Sequence, residues 1–264
     1  MIILSCFLRK KQDFLLPLQR KYYQDMVIAA YIRDKIESTL PGTILTISDF
    51  NIEQCYQPAL VKALNRMVRK GILQKVAKGK YYKPKATVFG YLRPPIEEIV
   101  KDYLEKDGRI VGYITGPTAF AAMGLTSQIS SRIVIGSNKY RRPLVRGNYK
   151  VSFLVQSNVI TKENVALLIL LDAIRLIRQI PATTPDEVVN KLSHIIQAMT
   201  EEERNELCQL AMSYTPYVRA LLGSILENAG FEVQDLYKTL NGVTTYKIPV
   251  TDLALPNKSK WNIV

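Results

Sequence analysis

The chain has almost no histidine and little cysteine. His194 is the single histidine among 264 residues, and Cys6, Cys55 and Cys208 are the only cysteines. Three widely spaced cysteines without a CxxC pair support neither a disulfide framework nor a zinc site. Such usage fits a reducing, cytoplasmic compartment. With one histidine, a Ser–His or Cys–His dyad has a single base, and no spacing joins His194 to a nucleophile. A helical or surface role for it is expected. The glycine-bearing stretch 112–117 has no following GKS/T, so it is not a phosphate-binding loop. Gly223-Ser224 lacks the GxSxG setting. Glu201, Glu202 and Glu203 are contiguous, which spreads their carboxylates around a helix start. Asp172 stands three residues before Arg175, the spacing of an ordinary helix pair. No catalytic residue, metal site or cofactor is expected.

Long hydrophobic runs are missing too. The longest, residues 165–171, is far short of a bilayer span. The opening MIILSCFLRKK places its charges after a short apolar run and has no small-residue cleavage site, so a signal peptide is not expected. A protein without a membrane partner is expected. Residues 1–25 read as a tail, or as the product of a start placed too early, with Met26 opening the first clear helix.

What is present is apolar content sufficient for packed cores, at 47%, and a strong basic excess, net +13. The excess is uneven. Residues 26–90 hold eleven basic and four acidic groups, whereas residues 161–264 hold ten and twelve. A cationic front end and a nearly neutral remainder suggest two jobs in one chain. The expected division is an N-terminal extension over 1–25, a DNA-binding domain over 26–90, and a second domain over 91–264.

The most informative stretch is residues 56–84. Leu60, Val61, Leu64, Met67 and Val68 fall within a sector of about 120° at helical spacing, a buried stripe. Ala59, Lys62, Arg66 and Arg69 lie opposite. Gly71 stops this helix, and residues 72–76 and 81–83 read as strands joined through Ala77-Lys78-Gly79-Lys80. Upstream, Ala29, Ile32, Ile36 and Leu40 mark a first helix. A short strand over 43–47 and a brief helix over 49–55, capped by Ser48, complete the set. Helix, strand, helix, helix and cationic hairpin is the order of a winged helix-turn-helix. A solvated basic face is the plain alternative for either part alone; the ordered set favours double-stranded DNA. Lys62 and Arg66, with Gln57 near the helix start, are placed for base edges. Arg69, Lys75, Lys78 and Lys80 suit phosphates. Tyr81 and Tyr82 alternate faces, so one is expected in the core and Tyr82 is a candidate phosphate contact.

Beyond Pro84, residues 85–95 read as a hinge into a helix over 96–106. A short strand leads to Gly116-Pro117 and a helix over 118–123. Strands over 133–135 and 149–155 flank a loop bearing Lys139, Arg141, Arg142 and Arg146, either a second phosphate patch or a solvated hairpin. Helices follow over 164–177, 185–199, from a capping box at Thr200, and over 216–228. One strand is expected over 244–248. The fold class is α+β, helical from about residue 161.

The segments TILTISDF, ALNRMVRKGILQKVAKGKYYKPK, GYITGPTAFAAMGLTSQ and YTPYVRALLGSILENAG occur in that order. In this the chain resembles the AbiE-type antitoxins of bacterial abortive-infection systems, in particular a Bacteroidetes branch. The resemblance implies a winged helix joined to an antitoxin domain, repression of the protein's own operon, and functional pairing with a nucleotidyltransferase-like toxin, with or without direct contact. That toxin class needs Gly-Ser followed by paired acids; here Gly136-Ser137 is followed by NKYRR, which fits the antitoxin. A non-enzymatic DNA-binding autorepressor and antitoxin is therefore expected. The runner-up is a nuclease-like DNA-processing enzyme targeted by the winged helix. A third reading, a winged helix used for protein contacts alone, is disfavoured by the charge of residues 26–90.

Overall fold

The computed structural model of the chain describes residues 17–88 and 90–264. It is a mixed α/β structure that divides into two compact units, residues 1–101 and 102–264. Of the expected N-terminal extension, residues 1–16 lie outside the described residues. Residues 17–25 are helical, because helix α1 runs Pro17–Ser38 and does not wait for Met26.

In the first unit, α1 buries Ile28, Ile32 and Ile36, one residue per turn on one face. It ends at Ser38, so Leu40 lies beyond the stripe and is 76% exposed. Strand β1 is Ile44–Thr46. Where a short helix was expected there are two 3₁₀ turns, Ile47–Phe50 and Gln54–Tyr56. Asn51, with φ of 46°, breaks the run between them. The first turn is closed by Asp49, whose carboxylate accepts from the Thr46 amide at 2.6 Å and its hydroxyl at 2.8 Å; Ser48 does not cap it. Helix α2, Gln57–Arg69, follows, then β2, Gln74–Ala77, and β3, Lys80–Tyr82. These strands form a sheet in the order β1-β3-β2, antiparallel throughout. Phe50, Leu60, Leu64, Leu73 and Tyr81 join the α1 isoleucines in one core. The expected hinge holds a small hairpin, β4, Lys85–Thr87, and β5, Gly90–Leu92. Helix α3, Ile96–Leu104, carries the boundary between the units.

In the second unit, β6, Glu105–Lys106, pairs with β7, Arg109–Ile110. Asp107 and Gly108 turn between them with φ of 52° and 74°, which is why the helix stops short of residue 106. A four-stranded sheet comes next: β8, Gly112–Thr115; β9, Arg132–Ser137; β10, Leu144–Arg146; and β11, Tyr149–Val155. Helix α4, Pro117–Ala122, lies between β8 and β9 in sequence. The order is β10-β11-β9-β8, with β9 and β11 parallel. Residues 136–148 are thus not one loop. They comprise the end of β9, a crossover at 138–143, and a hairpin of β10 with β11.

Four helices, α5, Val165–Arg175; α6, Pro185–Gln197; α7, Glu201–Ala211; and α8, Pro216–Asn228, supply much of the remaining core, joined by tail residues such as Ile248, Leu255 and Trp261. Helix α5 is apolar nearly all round and is the buried centre. The capping box at Thr200 forms as its spacing suggests, the Thr200 amide donating to Glu203 at 2.8 Å and the Glu203 amide to Thr200 Oγ1 at 3.2 Å. A short helix α9, Gln234–Lys238, leads into the tail. There the expected strand is reduced to a single bridge between Tyr246 and Ile263.

Candidate nucleic-acid interface

Helix α2 turns its apolar residues inward and its cations outward. Leu60, Ala63 and Leu64 are buried, while Val61, Met67 and Val68 are half-buried. The buried arc is therefore rotated toward Ala63 relative to the stripe read from the sequence. The outward residues are little affected: Gln57, Lys62, Arg66 and Arg69 are all exposed, joined by Lys70 at the C-cap. No acid lies in the helix itself, and among the described residues Glu37 of α1 is the one carboxylate lining the groove beside Arg66 and Lys70. Arg66 stands between two shallow grooves shared by α1 and α2. One, of about 330 Å³, includes Ala29, Arg33, Met67 and Lys70; the other, of about 310 Å³, includes Met26, Ala59 and Lys62.

The chain leaves α2 through Gly71, whose φ of 74° a side chain would strain. The Gly71 amide donates to the Val68 carbonyl at 3.0 Å and the Ile72 amide to Met67 at 3.0 Å, closing the helix end. Buried Leu73 and Tyr81 then fix the β2–β3 hairpin against the same core. The Tyr81 hydroxyl donates to Asn65 on α2 at 3.4 Å. Lys75 extends over the Tyr81 ring at 5.9 Å, an exposed cation–π contact. At the tip, Gly79 takes φ of 74°, between exposed Lys78 and half-buried Lys80. The helix and the hairpin are thereby parts of one packed unit, and most of the expected contact residues lie on its surface.

Tyr82 is the exception. It is only 5% exposed, and its hydroxyl donates to Gln74 Oε1. Burial raises its pKa, partly offset by Arg93. Both tyrosines of the pair are interior, so Tyr82 is withdrawn from the contact set. Lys70 and Arg33 were missed by the sequence reading. Lys70 sits beyond the periodic stripe, and Arg33 belongs to the other helix of the groove.

The second set divides in the same way. Lys139, Arg141 and Arg142 are exposed on the crossover. Arg146 is 5% exposed, its guanidinium paired with both carboxylate oxygens of Asp102 and lying 4.4 Å from the centroid of the Tyr103 ring. It is a structural arginine and leaves the phosphate patch.

His194 is exposed on α6. Gly223 lies against Trp261, where a Cβ would come within 2.1 Å of the ring; Ser224 donates to Asn257 Oδ1 at 2.9 Å. Asp172 is more unusual than the helix pair expected of it. It is fully buried and accepts from Tyr113 at 2.8 Å, Thr115 at 2.9 Å and Tyr214 at 3.0 Å. Gln156 Nε2 donates in turn to both tyrosine oxygens. Burial lifts the Asp172 pKa to about 6, opposed by those hydroxyl bonds. Arg175 instead donates to the Val155 carbonyl at 3.2 Å. The cluster joins residues of GYITGPTAF to the tyrosine that opens YTPYVRALLG, a convergence that sequence spacing alone cannot show. Among the described residues, no group of three or more His, Cys, Asp and Glu side chains could hold a metal, and no helix is long and apolar enough to cross a membrane.

These features define a two-unit mixed α/β protein with a cationic helix-and-hairpin surface. The chain belongs to the DUF6088 family, a family of unknown function, whose family model matches residues 31–207. That match takes in both units. No curated protein matches the sequence. Among solved structures, the chain is similar to the RV2827C protein from Mycobacterium tuberculosis, with 16% identity, coverage of 83% of this chain and 82% of the other, and a TM-score of 0.47.

Proposed function

We propose that this protein is a cytoplasmic, double-stranded DNA-binding autorepressor, with residues 26–90 acting as a winged helix-turn-helix. The observation that carries the reading is the set of cations displayed on α2 and at the β2–β3 tip of the same packed unit. Lys62 and Arg66 are exposed on the helix, and Lys78 and Lys80 flank the positive-φ glycine of the hairpin. In this reading α2 enters the major groove, where Lys62, Arg66 and Gln57 meet base edges. Arg69, Lys70, Lys75, Lys78 and Lys80 hold phosphates, which position the protein and supply most of the salt dependence.

The second half of the proposal rests on the AbiE-type resemblance of four ordered segments. It makes the protein the antitoxin of a two-gene module whose partner is a nucleotidyltransferase-like toxin. The protein itself is then a non-enzymatic regulator, and its operator lies in its own promoter.

An electrophoretic shift with DNA from upstream of the gene tests the core of this. Retardation that persists against excess unrelated duplex is the expected outcome. Equal competition by any duplex would remove the repressor assignment, and metal-dependent cleavage of the probe would favour the DNA-processing alternative. Co-expression with a neighbouring nucleotidyltransferase gene should restore growth; continued arrest would contradict the antitoxin half.

A further inference from the structure

The 23 acidic residues leave two long gaps in the chain. Residues 54–96 contain no acid and carry ten basic residues; residues 108–162 contain none and carry eight. The first gap supplies α2 and the β2–β3 hairpin. The second spans the entire four-stranded sheet of the other unit, β8 to β11. Among the described residues, Asp172 and Asp102 reach the sheet from outside the gap, Asp172 accepting from three hydroxyls and Asp102 paired with Arg146.

Folding places six of the eight cations of the second gap on β9, β11, the crossover and β10, an edge strand. The register sets Val145, Lys150 and Arg132 side by side on three adjacent strands, and all three are exposed. Neighbouring strands lie about 4.8 Å apart, so Lys150 and Arg132 are like charges held together at a net loss of stability. The Arg132 Nε donates to Ser152 Oγ at 3.3 Å, which orients it. The crossover entering β10 adds Lys139, Arg141 and Arg142 around Tyr140, which is 78% exposed. Arg141 lies 5.2 Å from the centroid of the Tyr103 ring, the same ring that carries Arg146. Clustered cations without interspersed acids, on a rigid edge with an exposed aromatic, suit a polyanion.

We infer that the β10 edge of the C-terminal unit is a second duplex-DNA contact surface, holding phosphates through Arg132, Lys139, Arg142 and Lys150 without reading sequence. The choice of duplex DNA as the polyanion rests on the reading of α2 and its hairpin; the surface itself does not. Its role would be to add salt-dependent affinity.

The test uses the full chain carrying Lys139→Gln, Arg142→Gln and Lys150→Gln, with anisotropy of a labelled promoter duplex over a salt series. Each lost phosphate contact should lower the slope of log K against log salt by roughly 0.9, so a fall of roughly two to three is expected. The ratio of affinities for promoter and scrambled duplex should stay unchanged. An unchanged slope would overturn the inference. The charge-keeping variant Lys139→Arg, Arg142→Lys and Lys150→Arg should bind like the wild type; loss shared by it would assign the effect to packing and overturn the inference equally. So would a larger response with duplex RNA or polyglutamate as the probe. A parallel Lys78→Gln, Lys80→Gln variant separates the two surfaces. If it binds normally while the triple variant responds, the hairpin reading fails and the β10 surface stands.

Discussion

Arg66 occupies the place on α2 where a change should be most selective. It is exposed, and it lies between the two grooves that α2 shares with α1. Arg66→Ala should reduce discrimination between promoter and mismatched sites by about 1–3 kcal/mol, read by competition binding. A uniform loss across all duplexes would make Arg66 a phosphate contact. Its position was legible because helical period alone separates Lys62, Arg66 and Arg69 from the buried stripe. The burial of Tyr82 was not legible, since alternation along a short strand shows which residues share a face but not that both faces are covered. Arg146 escaped for another reason: its partner Asp102 is 44 residues away. Gly223 offers a packing prediction at this scale. A methyl group there would meet the Trp261 ring, so Gly223→Ala should destabilise the protein by about 1–3 kcal/mol in urea unfolding. Unchanged stability would mean that Trp261 can move aside.

At the scale of elements, the hairpin and the buried polar cluster make different predictions. Lys78→Ala with Lys80→Ala should weaken binding to all duplexes alike and lower the salt slope by roughly one to two. A loss confined to one sequence would contradict phosphate clamping. Asp172 ties β8 to α5 and to the residue two before α8, through Tyr113, Thr115 and Tyr214. Its folded pKa of about 6 exceeds the ordinary 3.8, so the folded state binds the proton more tightly than the unfolded chain. The stability this contributes is fully present below about pH 4 and is lost as pH rises through about 6. Relative to Asp172→Asn, the wild type should therefore lose up to roughly 3 kcal/mol between those limits, measured by urea unfolding at each pH. A wild type that gains stability relative to Asp172→Asn as pH rises would contradict the assignment. Most helices were legible from their period and caps, as at Thr200. The parallel pairing of β9 with β11 was hidden, because pairing across a crossover leaves no local signal.

For the whole molecule, charge ordering along the chain is the feature that links its two units. The N-terminal cation excess was plain from composition. The Asp172 cluster was not, because the three hydroxyls that reach Asp172 lie 42 to 59 residues from it. The central claim is that the α2 face recognises a particular DNA sequence. Its most direct measurement is the affinity of the full chain for its own promoter duplex and for a scrambled duplex, with and without Lys62→Gln and Arg66→Gln. The expected result is tighter binding of the promoter by the wild type, with the two affinities converging in the double variant. Equal affinities for both duplexes in the wild type, or a preference that survives the double substitution, would contradict it.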